Sequence, residues 1–113
     1  MSIDNALASV AVRDLKASVK WYEKVLGRPA DSTPMPELAE WWFGGGGRLQ
    51  VYELPERAGS GSFTLAVSRI DQEVDKLRGL GIDPGKPMSG KGVKVVMIKD
   101  PDGNSIAFAE EAP

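Results

Sequence analysis

One pattern is written twice along this chain, and that duplication limits its fold more than any other feature. The dipeptide Ala11-Val12 returns as Ala66-Val67, 55 positions later, and each copy leads into a helical run. The first is "RDLKASVKWYEKVLG". Asp14 is a good N-cap, Leu15, Val19, Tyr22 and Leu26 keep helical spacing, and Gly27 ends the run. The second is "SRIDQEVDKLRGLG", with Ser68 or Asp71 near its start, Ile70, Val74 and Leu77 on one face, and Gly79 or Gly81 at its end. Each half then closes on an alternating strand that ends in Glu: "LQVYE" at 49–53 and "IAFAE" at 106–110, 57 positions apart. An apolar strand precedes each closing strand across a tight connection, Gly44 to Gly47 in the first half and "DPDGN" in the second. Each half therefore reads as strand, helix and at least two hairpin-paired strands. A further short edge strand is expected near 28–31 and near 82–86, where Pro29, Pro84 and Pro87 cluster. "LPERAGSGS", 54–62, links the halves.

Composition narrows the chemistry. At 113 residues and 42% hydrophobic the chain fits one domain, 1–113, with module one at about 1–55 and module two at about 60–113. Lys plus Arg number 14 against 16 Asp plus Glu, without a basic run, so no nucleic-acid partner is expected. The opening "MSIDNALASVAVRD" has neither a basic n-region nor an uninterrupted apolar span, so the expectation is a cytoplasmic protein without a membrane partner. With no Cys and no His, the chain has no thiolate or imidazole for zinc, no cysteine nucleophile and no histidine base. "GKPMSGKG", 85–92, approaches a phosphate loop, but Gly92 stands where the magnesium-binding hydroxyl belongs and a strand follows where a helix is required.

"VRDLKASVKWYEKVLG", "GGGGRLQVYE", "SFTLAVSRIDQEVDKLRGLGI" and "KDPDGNSIAFAE", in that order, resemble the vicinal oxygen chelate superfamily, which includes glyoxalase I, bleomycin resistance proteins and extradiol dioxygenases. The resemblance covers nearly the whole chain. It implies an α+β fold of two tandem βαβββ modules whose mixed sheets form a U-shaped trough with the helices outside. It also implies four metal-ligand positions, which correspond here to Leu7, Gln50, Ser62 and Ala107. Leu and Ala offer no lone pairs, and Ser and Gln are weak neutral donors, so no metal and no other cofactor is expected. Glu53 and Glu110 are the nearest carboxylates, at the opposite strand parity to Gln50 and Ala107.

Parity then proposes a lining for the trough: Leu7, Ser9 and Ala11; Gln50 and Tyr52; Ser62, Thr64 and Ala66; Ala107 and Ala109. If the tetraglycine hairpin is symmetrical, residue 41 faces 50. Trp41 and Phe43 then join the lining, while Trp42 lies with Leu49 on the helix side. Counting across "DPDGN" brings Val95 and Met97 beside Ala107. Small side chains, aromatic walls and a few neutral hydrogen bonders describe a pocket for a small apolar or aromatic molecule. The alternatives are a metal-dependent lyase, isomerase or dioxygenase with non-standard ligands, and a trough used only for protein contact. A homodimer is expected, because one short chain makes an open trough and members of the superfamily commonly complete it with a second subunit.

Overall fold

The computed structural model describes residues 2–111, so Met1, Ala112 and Pro113 of the expected 1–113 domain lie outside the described residues. The elements follow in the order β1 (Ala8–Val12), α1 (Leu15–Leu26), β2 (Ser32–Met35), β3 (Leu38–Trp42), β4 (Arg48–Glu53), β5 (Ser62–Ala66), α2 (Ile70–Gly79), β6 (Met88–Gly90), β7 (Val93–Lys99) and β8 (Ser105–Glu111). They form two four-stranded mixed sheets, ordered β1-β4-β3-β2 and β5-β8-β7-β6. This is the α+β arrangement of two tandem βαβββ modules. The fourth strand of each sheet, β2 or β6, occupies an edge, as the prolines imply, but begins after the expected residues.

Each helix is set by local chemistry. Asp14 caps α1 by accepting from the Ala17 N–H at 3.5 Å, and Gly27 ends it in the left-handed region with φ of 80°. Its buried residues Ser18, Tyr22 and Val25 lie on one face at helical spacing. Neither Ser68 nor Asp71 caps α2: Arg69 holds the N-cap position without a side-chain bond. The two closing glutamates supply carboxylates instead. Glu53 accepts from the Leu15 N–H at 3.0 Å and Glu110 from the Ile70 N–H at 2.7 Å, so each module's last strand anchors the start of its own helix. A carboxylate there also meets the positive end of the helix dipole.

Val10, Val12, Trp41, Leu49 and Val51 of sheet one join Phe63, Val96, Ile98, Ile106 and Phe108 of sheet two in one core with Tyr22, Val74 and Leu77 of the helices. The modules meet through a buried polar junction. Asn104, fully buried, accepts at Oδ1 from the N–H groups of Gly59 (3.1 Å) and Gly61 (2.8 Å) in the linker. Its Nδ2 donates to the Ala11 carbonyl (2.9 Å) and to Asp100 (2.8 Å), and the Tyr22 hydroxyl donates to the same Asp100 oxygen at 2.8 Å. Burial first, and then the Asp100 carboxylate, push the Tyr22 phenol far above its ordinary pKa.

Candidate functional site

The face of each sheet turned away from its helix is set by register. On sheet two, Thr64 and Met97 both stand opposite Ala107, and Ala66 and Val95 opposite Ala109, as parity requires. On sheet one, Ser9 pairs with Gln50 and Ala11 with Tyr52. Ser62 is exposed at the start of β5, and Leu7, just before β1, is 42% exposed.

The expected placement of Trp41 and Phe43 is corrected. Glu40, not Trp41, stands opposite Gln50, while Trp41 pairs with Leu49 and Trp42 with Arg48. Phe43 shares the helix-side parity of Trp41 and packs against the core. The cause is the turn. Phe43 donates to the Gly47 carbonyl (2.9 Å) and Gly46 to the Phe43 carbonyl (3.0 Å), with φ of 95° at Gly46. The loop therefore holds three residues rather than four, with a glycine in the left-handed position that closes such loops. "DPDGN" makes the same turn: Asp100 donates to Asn104, Gly103 donates to Asp100, and Gly103 has φ of 100°.

This register puts an unexpected acid in the wall. Glu40, 5% exposed, takes the Gln50 amide N–H on Oε2 (2.8 Å) and the Trp42 indole N–H on Oε1 (2.5 Å), with Arg48 Nη1 at 3.3 Å from Oε1. Gln50 in turn accepts from the Ser9 hydroxyl at 2.9 Å, and the Arg48 guanidinium lies 4.8 Å from the centre of the Trp42 ring. The Gln50 hydrogen bond, followed by that of Trp42 and then the charge of Arg48, holds the Glu40 carboxyl below its usual range against the opposing pull of burial. The carboxylate is an internal anchor that fixes three side chains of the trough face in one orientation. Beside it, Ser9, Gln50, Tyr52, Leu38 and Met35, with the acids Glu37 and Glu53, line a hollow of about 480 Å³.

The metal-ligand positions do not suit a metal. Leu7 and Ala107 carry no donor atoms, the Gln50 oxygen is engaged by Ser9 and its nitrogen by Glu40, and Ser62 offers one hydroxyl. Among the described residues no three His, Cys, Asp or Glu side chains gather as a metal site. Glu53 and Glu110 are committed to the helix N-termini. Added nickel, zinc, manganese or iron(II) should leave the melting temperature unchanged, measured by scanning fluorimetry. One bound metal per chain with any of these four residues as ligand would contradict that expectation.

Among the described residues no helix is long and apolar enough to cross a membrane. Comparison with known proteins gives a consistent family. A glyoxalase/bleomycin resistance protein from Catenulispora acidiphila is 36% identical, with TM-score 0.83 over 94% of this chain and 96% of that one. The bleomycin resistance determinant encoded on the transposon Tn5 shares the fold at 19% identity, with TM-score 0.79 over 96% and 98% of the two chains. An oxidase, ChaP-H2, does so at 19% identity and TM-score 0.76 over 98% and 95%. No curated protein matches the sequence. The family model described as Glyoxalase/Bleomycin resistance protein/Dioxygenase superfamily matches residues 3–108, and the chain belongs to that superfamily.

Proposed function

We propose that the protein binds a small apolar or aromatic molecule on its trough faces without using a metal. The observation that carries this reading is Trp42: 46% exposed, its ring is held in place by the Glu40 bond at one edge and by Arg48 over its plane. Held in this way, an indole offers a stacking surface at little cost in side-chain entropy. Ser9, Gln50 and Tyr52 add neutral hydrogen-bonding groups on the same face, and Thr64, Met97 and Ala107 give a small, apolar counterpart on sheet two. The Tn5 protein of the same fold is by its title a bleomycin resistance determinant. No resemblance to its ligand is implied. The enzymatic alternative requires metal ligands outside the positions described, and the metal titration above tests it.

A screen of aromatic compounds read by tryptophan fluorescence tests the reading. Stacking on Trp42 contributes roughly 0.5–1.5 kcal/mol beyond area burial. Trp42→Ala should therefore weaken a hit about tenfold and remove its quenching. A hit that binds Trp42→Ala as tightly as the parent would contradict it.

A homodimer belongs to the same reading. Of the seven exposed large apolar side chains among the described residues, Met35, Trp42, Met88 and Met97 are assigned to trough faces by register, while Ile3, Leu7 and Leu80 lie outside the strands. Exposed apolar side chains concentrated in this way are characteristic of surfaces that meet a partner. The hollow beside Gln50 draws its lining from module one alone, leaving a second wall to be supplied. Sedimentation at tens of micromolar should give two chains per particle; a monomer there would count against it.

A further inference from the structure

The two modules are related by fixed offsets, and the junction between them is filled on one side only. Carried across by 57 positions in the hairpins and 55 elsewhere, Asn104 corresponds to Gly47, Asp100 to Phe43, Tyr22 to Leu77, Ala11 to Ala66 and Gly61 to Ala6. Module two's turn therefore inserts a buried carboxamide between the modules, and module one's equivalent turn presents glycine. Ala6, Phe43, Gly47 and Ala66 line a cavity of about 480 Å³ at this place, with Leu49 and Phe108 among its apolar walls and Arg48, Glu73 and Lys76 among its charged ones. A Cβ built on Gly47 would meet nothing within 4 Å. The volume lies within the ordinary range for small-molecule sites.

The filled side indicates what the open side would accept. Asn104 Nδ2 donates to the Ala11 carbonyl at 2.9 Å. Ala66 is the counterpart of Ala11, and because Val67 donates to Ala109 at 2.9 Å, the alternation of a parallel ladder turns the Ala66 carbonyl toward the open strand edge. A ligand that seals this space has to donate a hydrogen bond there or leave a covered acceptor unpaired. We propose that the cavity between the modules is a second ligand site, taking a small apolar molecule with an uncharged primary-amide head that donates to the Ala66 carbonyl as the Asn104 amide does to Ala11. The site shares no lining residue with the hollow beside Gln50, although Arg48, Thr64 and Ala66 belong both to its walls and to the trough faces.

The probe is cyclohexanecarboxamide, which has no aromatic ring to stack on Trp42, titrated by calorimetry into the parent and Gly47→Asn proteins, with methyl NMR on the parent. Asn at position 47 supplies the missing carboxamide from the chain itself. Gly47→Asn should retain or raise the melting temperature and weaken cyclohexanecarboxamide tenfold or more. In the parent, the methyl signals of Leu65 should move and those of Met88 and Met97 should not. Lack of saturable binding at millimolar probe, unchanged affinity in a folded Gly47→Asn, or shifts confined to Met88 and Met97 would each overturn the proposal. The NMR arm decides the matter even if Gly47→Asn fails to fold.

Discussion

Trp41→Ala is expected to cost about 3–5 kcal/mol, the usual range for emptying a buried indole site. Its ring is fully buried, lies 6.1 Å from the Tyr22 ring centre, and donates its indole N–H to the Arg28 carbonyl at 3.0 Å. Truncation leaves a large void and an unpaired carbonyl. Since a domain is stable by only about 5–15 kcal/mol, the variant should be largely unfolded at temperatures the parent withstands. Trp42→Ala removes a side chain that is 46% exposed, and Glu40 retains the Gln50 and Arg48 donors. It should unfold in urea within about 1 kcal/mol of the parent, in keeping with a site outside the packed core. Adjacent tryptophans should thus have separate consequences: one for folding, the other for ligand. If Trp42→Ala melts the protein and Trp41→Ala does not, the register of the first hairpin is other than described.

Asn104→Ala should be as damaging as Trp41→Ala, although the residue is small. Its side chain serves Gly59, Gly61, Ala11 and Asp100 with no exposure to water. Each buried group left unpaired costs about 1–3 kcal/mol, and more than one is orphaned at once. A loss of roughly 3 kcal/mol or more in urea unfolding is expected. Asn104→Asp retains the acceptor for the two linker amides but removes the donor and sets a carboxylate against Asp100, so its stability should fall as well. Parental stability in Asn104→Ala would mean that water replaces the amide and that the junction is not dry.

The duplicated pattern was sufficient for the architecture, because the strand-helix segments and the Glu-terminated strands recur at nearly constant offsets. The faces of sheet two followed from "DPDGN", whose turn chemistry fixes the pairing of Met97 with Ala107. Those of sheet one did not, since four identical glycines do not reveal how many of them lie in the loop. The repeat contained the answer: moving the Met97–Ala107 pair back by 57 positions gives Glu40 with Gln50. Applied in that way, it would have brought Trp42 and Glu40 to the trough and sent Trp41 to the core. The closing glutamates were legible as a repeat but not as helix anchors, because residues 53 and 15, or 110 and 70, become neighbours only after the strands have paired. β2 and β6 were misplaced because a short edge strand has little hydrophobic periodicity to mark it.

The Asn104 junction also orders events at the ribosome. Tyr22 donates to a residue 78 positions downstream, and Ala11 accepts from one 93 positions downstream. During synthesis, at about 5–20 residues per second, α1 therefore emerges seconds before the groups that satisfy its phenol exist. Module one can pair its strands in that interval, but its buried tyrosine has no acid to meet until the second hairpin leaves the exit tunnel. Nascent chains stalled before residue 100 should remain open to proteases along α1, and resistance should appear once the turn at 100–104 has emerged.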